Sequence, residues 1–372
     1  MKILHLSDLH LGKRVFEMSM IPEQRVILDQ VLEMAKAADV TVIAGDIYDR
    51  QVPPAEAVAL FDDFLTRMHA QGSRMMMISG NHDSAERVAF GAGLLGRSGV
   101  YVSPVYDGRT RRVELSDEHG AVHFYLLPFV KPAHIRAALN EETIEGYTAA
   151  IRAAIEHMDI DPSARNVLIA HQFVTGSMRS ESEEVSVGGL DNVDADVFDA
   201  FDYVALGHLH AAQSLCGGKV RYCGAPLAYA FSESESVKGA LMVQLGNKGE
   251  LDVRVLPFAP ARRMSRLYGR FDALYHPEKA TQDYLQITLT DEDDVPDAAR
   301  KLSQIYPNLL QVLYDNTRTR AMAADFGLQE TAVRSPMEMF EALFDMQNGQ
   351  NMTDAQREYL GGMIEAIWEG DV

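Results

Sequence analysis

The apolar residues of this chain fall into short runs, and each run ends in polar side chains able to hold a metal ion. Ile3-Leu4-His5-Leu6 leads into Ser7-Asp8, and Val40-Thr41-Val42-Ile43-Ala44 leads into Gly45-Asp46. Met75-Met76-Met77-Ile78 precedes Gly80-Asn81-His82-Asp83. Val167-Leu168-Ile169-Ala170 runs into His171, and Tyr203-Val204-Ala205-Leu206 into Gly207-His208. Runs so short and so uniformly apolar predict strands buried on both faces. Between them, residues 24–38 place Leu28, Val31, Leu32 and Ala35 on one helical stripe. Residues 55–71 follow Pro53-Pro54 and place Val58, Phe61, Leu65 and Met68 on another. Strand-helix-strand alternation over residues 1–80 predicts a sheet with packed helices. Residues 100–130 and 210–257 read as short strands and turns, which predicts antiparallel sheet.

A boundary is expected at Pro257-Phe258-Ala259-Pro260. Beyond it, Tyr284–Leu289 alternates like a half-exposed strand, residues 296–305 read as a helix, and Val312-Leu313-Tyr314 as another strand, a small β-α-β unit. The tail carries two capping boxes, Ser335-Pro336-Met337-Glu338 and Thr353-Asp354-Ala355-Gln356. The helix after the first offers Met339, Phe340, Leu343 and Phe344. The helix after the second offers Leu360, Met363, Ile364, Ile367 and Trp368.

Length and composition then narrow the class. A chain of 372 residues predicts two or three domains, and 47% hydrophobic content is ordinary for a globular protein. No run approaches the roughly 18 apolar residues of a membrane span. The first apolar run is too short for a signal-peptide core, so a cytoplasmic location is expected. The two cysteines, Cys216 and Cys223, flank a Gly-Gly turn and read as reduced core residues that hairpin pairing could bring close. The net charge of −20 argues at first sight against nucleic acid. Much of it is localised, however. The last 38 residues carry eight acids and one arginine, and other carboxylates belong to the strand-end blocks, where divalent cations would reverse the local sign.

Taken together, the strand ends supply Asp8, His10, Asp46, Asn81, His171, His208 and His210, with His82 as an eighth polar group. Imidazole with carboxylate suits Mn²⁺, Fe²⁺ or Zn²⁺. Asp-x-His and His-x-His on extended chain keep both side chains on one face. Glycines beside Asp46, Asn81 and His208 remove bulk where backbone passes close to a ligand. Phosphodiester hydrolysis needs such a set. Two ions roughly 3.5–4 Å apart generate the hydroxide and neutralise the developing charge, and Asp46 has two oxygens with which to bridge them. Taken singly, His10 or His171 reads as a hydrogen-bonded structural residue; five blocks together make the metal reading the stronger one. His5, in mid-strand, reads as structural. Asp83 could steady either His82 or a loop.

The pattern Asp8-x-His10, Gly45-Asp46-x-x-Asp49, Gly80-Asn81-His82-Asp83, His171, Gly207-His208-x-His210 resembles the calcineurin-like metallophosphoesterase family. Within it, Leu6–Gly12, Ala44–Asp49 and Ala170–Val174 are similar to the SbcD-type nuclease subunits of bacterial SbcCD complexes. The resemblance implies a four-layer α/β/β/α sandwich over residues 1–260, an α/β capping domain over 261–330 and a helical partner-binding tail over 331–372. It implies that Asp8, His10 and His210 hold one metal, that Asn81, His171 and His208 hold the other, and that Asp46 bridges. His82 would face the scissile phosphate as a catalytic residue and not as a ligand. At Asp49, archaeal and eukaryotic relatives often carry His.

The implied activity is manganese-dependent DNA cleavage, exonucleolytic on duplex ends and endonucleolytic on single strands or hairpins. The implied assembly is a homodimer with an SbcC-type SMC-like ATPase, acting in repair and recombination. Three arginine groups could meet the DNA backbone: Arg109, Arg111 and Arg112; Arg262, Arg263, Arg266 and Arg270; Arg318 and Arg320. The Arg262–Arg270 group, at the domain junction, is the preferred one. In the tail, Phe340, Phe344, Leu360, Ile364 and Ile367 are the candidate ATPase-docking residues. The rival readings are a phosphatase or phosphodiesterase of small molecules or phosphoproteins, and a DNA-end tethering subunit whose importance is structural.

Overall fold

A computed structural model describes residues 1–178, 191–320, 336–353, 355–357, 359–361 and 363. The main strands are β1 (Lys2–Leu6), β2 (Val40–Ala44), β3 (Met75–Ile78), β4 (Val100–Val102), β5 (Arg111–Asp117), β6 (Gly120–Leu126), β7 (Arg165–His171) and β8 (Tyr203–Gly207). They continue with β9 (Gln213–Leu215), β10 (Val220–Tyr222), β11 (Gly239–Leu245) and β12 (Leu251–Pro257). Two six-stranded sheets result, ordered β12-β11-β1-β2-β3-β4 and β9-β10-β8-β7-β6-β5. In the first, β1 through β4 pair in parallel. The regions 100–130 and 210–257 supply the antiparallel pairs β5–β6, β9–β10 and β11–β12 at the sheet edges.

Alternation within each run explains its uniform apolarity. Ile3, Val40, Val42, Met76 and Ile78 face the second sheet and pack on Phe124, Val167, Ile169 and Tyr203. Their neighbours Leu4, Leu6, Ile43, Met75 and Met77 face outward, under helices α1 (Ile21–Ala35) and α2 (Ala55–Ala70). Helices α3 (Pro132–Leu139) and α4 (Gly146–Glu156) cover the second sheet in the same way. The architecture is therefore the four-layer α/β/β/α sandwich. Among the described residues, no helix is long and apolar enough to cross a membrane.

Details differ from the sequence reading. Helix α1 starts earlier, with a proline in its first turn, and ends at Ala35. Helix α2 buries Ala57, Leu60, Phe61, Phe64 and Met68, while Val58 is exposed. The apolar stripe is rotated by a fraction of a turn, and only contact with the sheet selects between two overlapping stripes. The cysteines are not a core pair: Cys223 is buried and Cys216 is exposed.

After Pro260 comes a three-stranded parallel sheet, β13 (Met264–Gly269), β14 (Tyr284–Leu289) and β15 (Leu309–Tyr314). It carries the short helix α5 (Ala298–Leu302) and a core of its own, built on Phe271, Leu285, Ile287, Leu289, Leu302 and Tyr306. Strand β13 is the element the sequence reading missed. Its Ser265, Arg266 and Tyr268 interrupt any apolar pattern, and its pairing with β14 defines it. The unit is fastened to α1 by the buried Glu23. Glu23 accepts from the backbone N–H of Arg262 (3.1 Å), from its guanidinium (2.5 Å) and from the Tyr284 hydroxyl (3.4 Å).

In the tail, α6 spans Pro336–Asn348. Thr353 and Gln356 form the expected reciprocal cap, at 2.9 and 3.3 Å. Phe340 is exposed, Phe344 and Leu360 are half-buried, and Ile364 and Ile367 lie outside the described residues.

Candidate metal centre

The carboxyl ends of β1, β2, β3, β7 and β8 lie along one edge of the sandwich. The turn after β1 runs beside the turn after β2, with Asp8 N–H donating to Gly45 O (3.1 Å) and His10 N–H to Asp46 O (3.0 Å). In the second sheet Gly207 pairs directly with His171, which sets His208 beside that ring. Two hydrogen bonds that use backbone groups help join the sheets here. His171 Nδ1 donates to Ala44 O (2.8 Å), and His208 N–H donates to Asp8 Oδ1 (2.9 Å). Four of the expected ligands, Asp8, His10, Asp46 and His208, hold positive φ values of 53°, 45°, 49° and 102°. A non-glycine residue pays about 1–3 kcal/mol for such a backbone, a cost retained where function fixes the conformation.

All seven expected ligands gather there. Asp8, His10 and His210 offer donor atoms within 4.8 Å of one another, and so do Asp8, Asp46 and His171. His10 Nε2 lies 3.0 Å from His210 Nε2. Asn81 Oδ1 lies 2.9 Å from His171 Nε2 and 3.1 Å from His208 Nδ1. Asp46 Oδ2 stands between the two groups, 3.6 Å from His10 Nε2 and 3.4 Å from His171 Nε2. Two donors bound at right angles to one ion at about 2.1 Å are about 3 Å apart, so these spacings suit shared cations. Asp8 Oδ2 is buried with no hydrogen-bond partner, as an oxygen reserved for a cation would be.

The surrounding groups hold this set in place. Asp46 Oδ1 accepts from His82 N–H (2.9 Å), which fixes the Oδ2 direction. Asp83 takes the N–H groups of Ile47, Tyr48 and Gly80, so it steadies the two loops and not the His82 ring. A methyl group on Gly80 would collide with Asp46, and one on Gly207 with Ala44 O and the His171 ring. His82 Nδ1 donates to Asp49 O (3.1 Å), and its ring stands edge-on to His10 with centroids 4.7 Å apart. His5 is structural: its Nδ1 meets the Tyr203 hydroxyl at 2.8 Å, across the sheets.

Burial pushes the Asp8 carboxyl up and takes the His10 imidazole down to about 3, so His10 is neutral and able to ligate at neutral pH. Burial also works upward on Asp46, but the pull of His171, His10 and His82 carries it well below the usual carboxylate range. For His171, Asp46 and Asp8 outweigh burial and raise it to about 9. The two carboxylates thus favour positive charge at this point of the site.

Residues 1–212, more than half of the chain, match the calcineurin-like phosphoesterase family. The chain belongs to that family. Residues 260–348 match the SbcD C-terminal domain, described as the type 5 capsule protein repressor C-terminal domain. A solved structure described as a novel archaeal phosphodiesterase covers 69% of this chain and 100% of its own at 13% identity and a TM-score of 0.32. A second covers 68% and 98% at 10% identity and a TM-score of 0.38. The calcineurin-like phosphoesterases use divalent metal ions, and the donor set of this member fits them.

The arginines of this phosphoesterase are not equivalent. Arg262 pairs with the buried Glu23 at the junction while its side chain stays partly exposed. Arg318 and Arg320 pair with Asp294 and Asp315, and Arg112 lies 3.6 Å from Asp159. Arg111 donates to Val102 O. Arg263, Arg266 and Arg270 are exposed, with Arg270 3.9 Å from Asp291. Arg266 lines a cleft of about 400 Å³ with Lys13, Arg14, Phe16 and Tyr229. The Tyr229 ring lies 5.9 Å from His10 and 6.2 Å from His210, so this cleft adjoins the expected metal ligands. Nothing in the sequence around Tyr229 marks it; its place depends on a hydroxyl bond to Leu9 O, 220 residues away.

Proposed function

We propose that this chain hydrolyses DNA phosphodiesters on a pair of divalent cations, manganese foremost, as the nuclease subunit of an SbcCD-type assembly. The observation that carries the reading is Asp46 Oδ2 standing between the His10 and His171 rings, with a separate donor group on either side. Asp8, His10 and His210 would hold one ion, Asn81, His171 and His208 the other, and Asp46 both. Such a pair of cations lowers the pKa of a bound water toward neutrality and neutralises charge on the phosphoryl oxygens.

The chain's own residues do the rest. His82, anchored through Nδ1, keeps Nε2 for a phosphoryl or leaving-group oxygen and acts there as proton donor or transition-state stabiliser. Its backbone N–H and the Gly80 turn hold the bridging carboxylate in orientation. The cleft offers the exposed Arg14 and Arg266 guanidinium groups and the exposed Phe16 ring beside the centre, which supports a nucleic acid substrate. The match of residues 260–348 to the SbcD C-terminal domain supports a capping role for the small sheet. By this reading the chain also forms a homodimer and docks an SbcC-type ATPase through the tail. By this reading the activity is exonucleolytic on duplex ends and endonucleolytic on single strands or hairpins.

One observation favours a second reading, a phosphatase or phosphodiesterase of small molecules: the net charge of −20, with many arginines already ion-paired. Digestion of end-labelled duplex with and without Mn²⁺, beside turnover of a simple phosphate ester and an Asp46→Ala control, separates the two. Duplex degradation that needs Mn²⁺ and Asp46 supports the nuclease. Ester turnover with intact duplex supports the phosphatase.

A further inference from the structure

Glu233 is a buried carboxylate behind the metal ligands, and the chemistry above gives it no part. Its Oε1 lies 3.7 Å from His210 Nδ1, on the side of the ring away from His10. Its Oε2 accepts from Lys238 Nζ (2.7 Å) and from Tyr229 N–H (3.4 Å). Lys238 also donates to the backbone oxygen of His210 (2.8 Å), so one ammonium ties the carboxylate to the very residue it faces. The same build recurs at His10. There Nδ1 lies 3.6 Å from Asp49 Oδ1, and Asp49 is paired with Lys13 at 2.8 Å. His171 differs, because its Nδ1 meets the neutral carbonyl of Ala44.

The geometry points to Glu233 as a positioning residue that sets the affinity of the Asp8–His10–His210 ion separately from that of its neighbour. The inference rests on the two-ion reading above. When an imidazole Nε2 binds a cation, the ring's proton resides on Nδ1. A carboxylate facing Nδ1 fixes that tautomer and makes Nε2 a stronger donor. Both histidines of the first ion have a lysine-paired carboxylate in this position. His171, in the second set, has a carbonyl. The outer shell is therefore charged around one ion and neutral at this ligand of the other. Loss of such a partner lowers metal affinity by about 10- to 100-fold.

The test is calorimetric titration of the chelator-stripped full chain with Mn²⁺, for wild type, Glu233→Gln and Glu233→Asp. Glu233→Gln keeps the shape and removes the charge. One of the two binding steps is expected to weaken about 10- to 100-fold, with the other unchanged. Glu233→Asp keeps the charge and is expected to weaken the same step less, and it serves alone if the glutamine variant does not fold. A uniform structural role would move both steps together. Two wild-type steps in Glu233→Gln, or two equally weakened steps, would overturn the inference while leaving the two-ion reading intact. Fewer than two ions taken up by wild type would overturn both.

Discussion

His10 and His210 meet Nε2 to Nε2 at 3.0 Å, from opposite sheets and from positions 200 residues apart. Between two imidazole nitrogens so placed, at most one proton is tolerated. Their other nitrogens face Asp49 and Glu233, which leaves the facing pair as lone-pair donors to a shared cation. Metal should therefore stabilise the fold. A divalent ion at about 100 times its dissociation constant adds about 2.7 kcal/mol. Thermal unfolding with and without Mn²⁺ should show a rise in midpoint for wild type and a much smaller rise for Asp46→Ala.

His82 stands within 4.8 Å of donor atoms of His10 and Asp46, but its Nδ1 is engaged by Asp49 O. His82→Ala should retain two bound ions in the same Mn²⁺ titration while hydrolysis falls about 10²- to 10⁴-fold, the usual span for loss of a general acid or base. Loss of metal together with activity would move His82 into the ligand set.

Gly80→Ala tests the close approach of the two loops. The added methyl would meet the Asp46 carboxylate and backbone. Overpacking of this kind costs about 1–3 kcal/mol. Chemical denaturation should report that loss, and titration should report weakened Mn²⁺ binding, because the displaced group is the bridging carboxylate.

The exposed Arg266 and the paired Arg262 should separate binding from stability. Arg266→Ala should weaken duplex binding and lower the slope of log K against log salt by about one, with the unfolding midpoint unchanged. Arg262→Ala should chiefly destabilise, because it leaves Glu23 buried without its charge partner. Fluorescence anisotropy over a salt series, with thermal unfolding, checks both.

Far from the centre, Arg165 holds Asp117 through two hydrogen bonds, at 2.5 and 3.1 Å, and also donates to Gly120 O and Gly246 O. Arg165 sets the Asp117 carboxyl well below the usual range. A depressed folded pKa stabilises above the unfolded value of about 3.9 and loses that contribution as pH falls toward the folded value. Asp117→Asn should cost about 3 kcal/mol at neutral pH, by leaving a buried guanidinium without its partner. The loss should shrink below about pH 4, and urea denaturation at several pH values measures both limits.

Much of this was legible in the sequence because burial on both faces makes strands uniformly apolar, and because a metal site exempts their ends from that rule. Ile3–Leu6 followed by Asp8-x-His10 shows both effects in eight residues. What stayed hidden depends on partners far along the chain. The pairing of Arg262 could not be read because Glu23 lies 239 residues away. Strand β13 is too polar to announce itself and exists through its pairing with β14. Val58 and Leu60 sit on adjacent helical stripes, and only the sheet beneath α2 decides which is covered. Glu233 sits in a serine- and acid-rich loop that reads as solvated surface, yet the fold buries it behind His210.

The most direct measurement is anomalous diffraction at the manganese edge from crystals of this chain grown with Mn²⁺. Two peaks about 3.5–4 Å apart are predicted, both in contact with Asp46, one with Asp8, His10 and His210 and the other with Asn81, His171 and His208. No peak among these side chains, or a single peak with Asp46 turned away, would contradict the account.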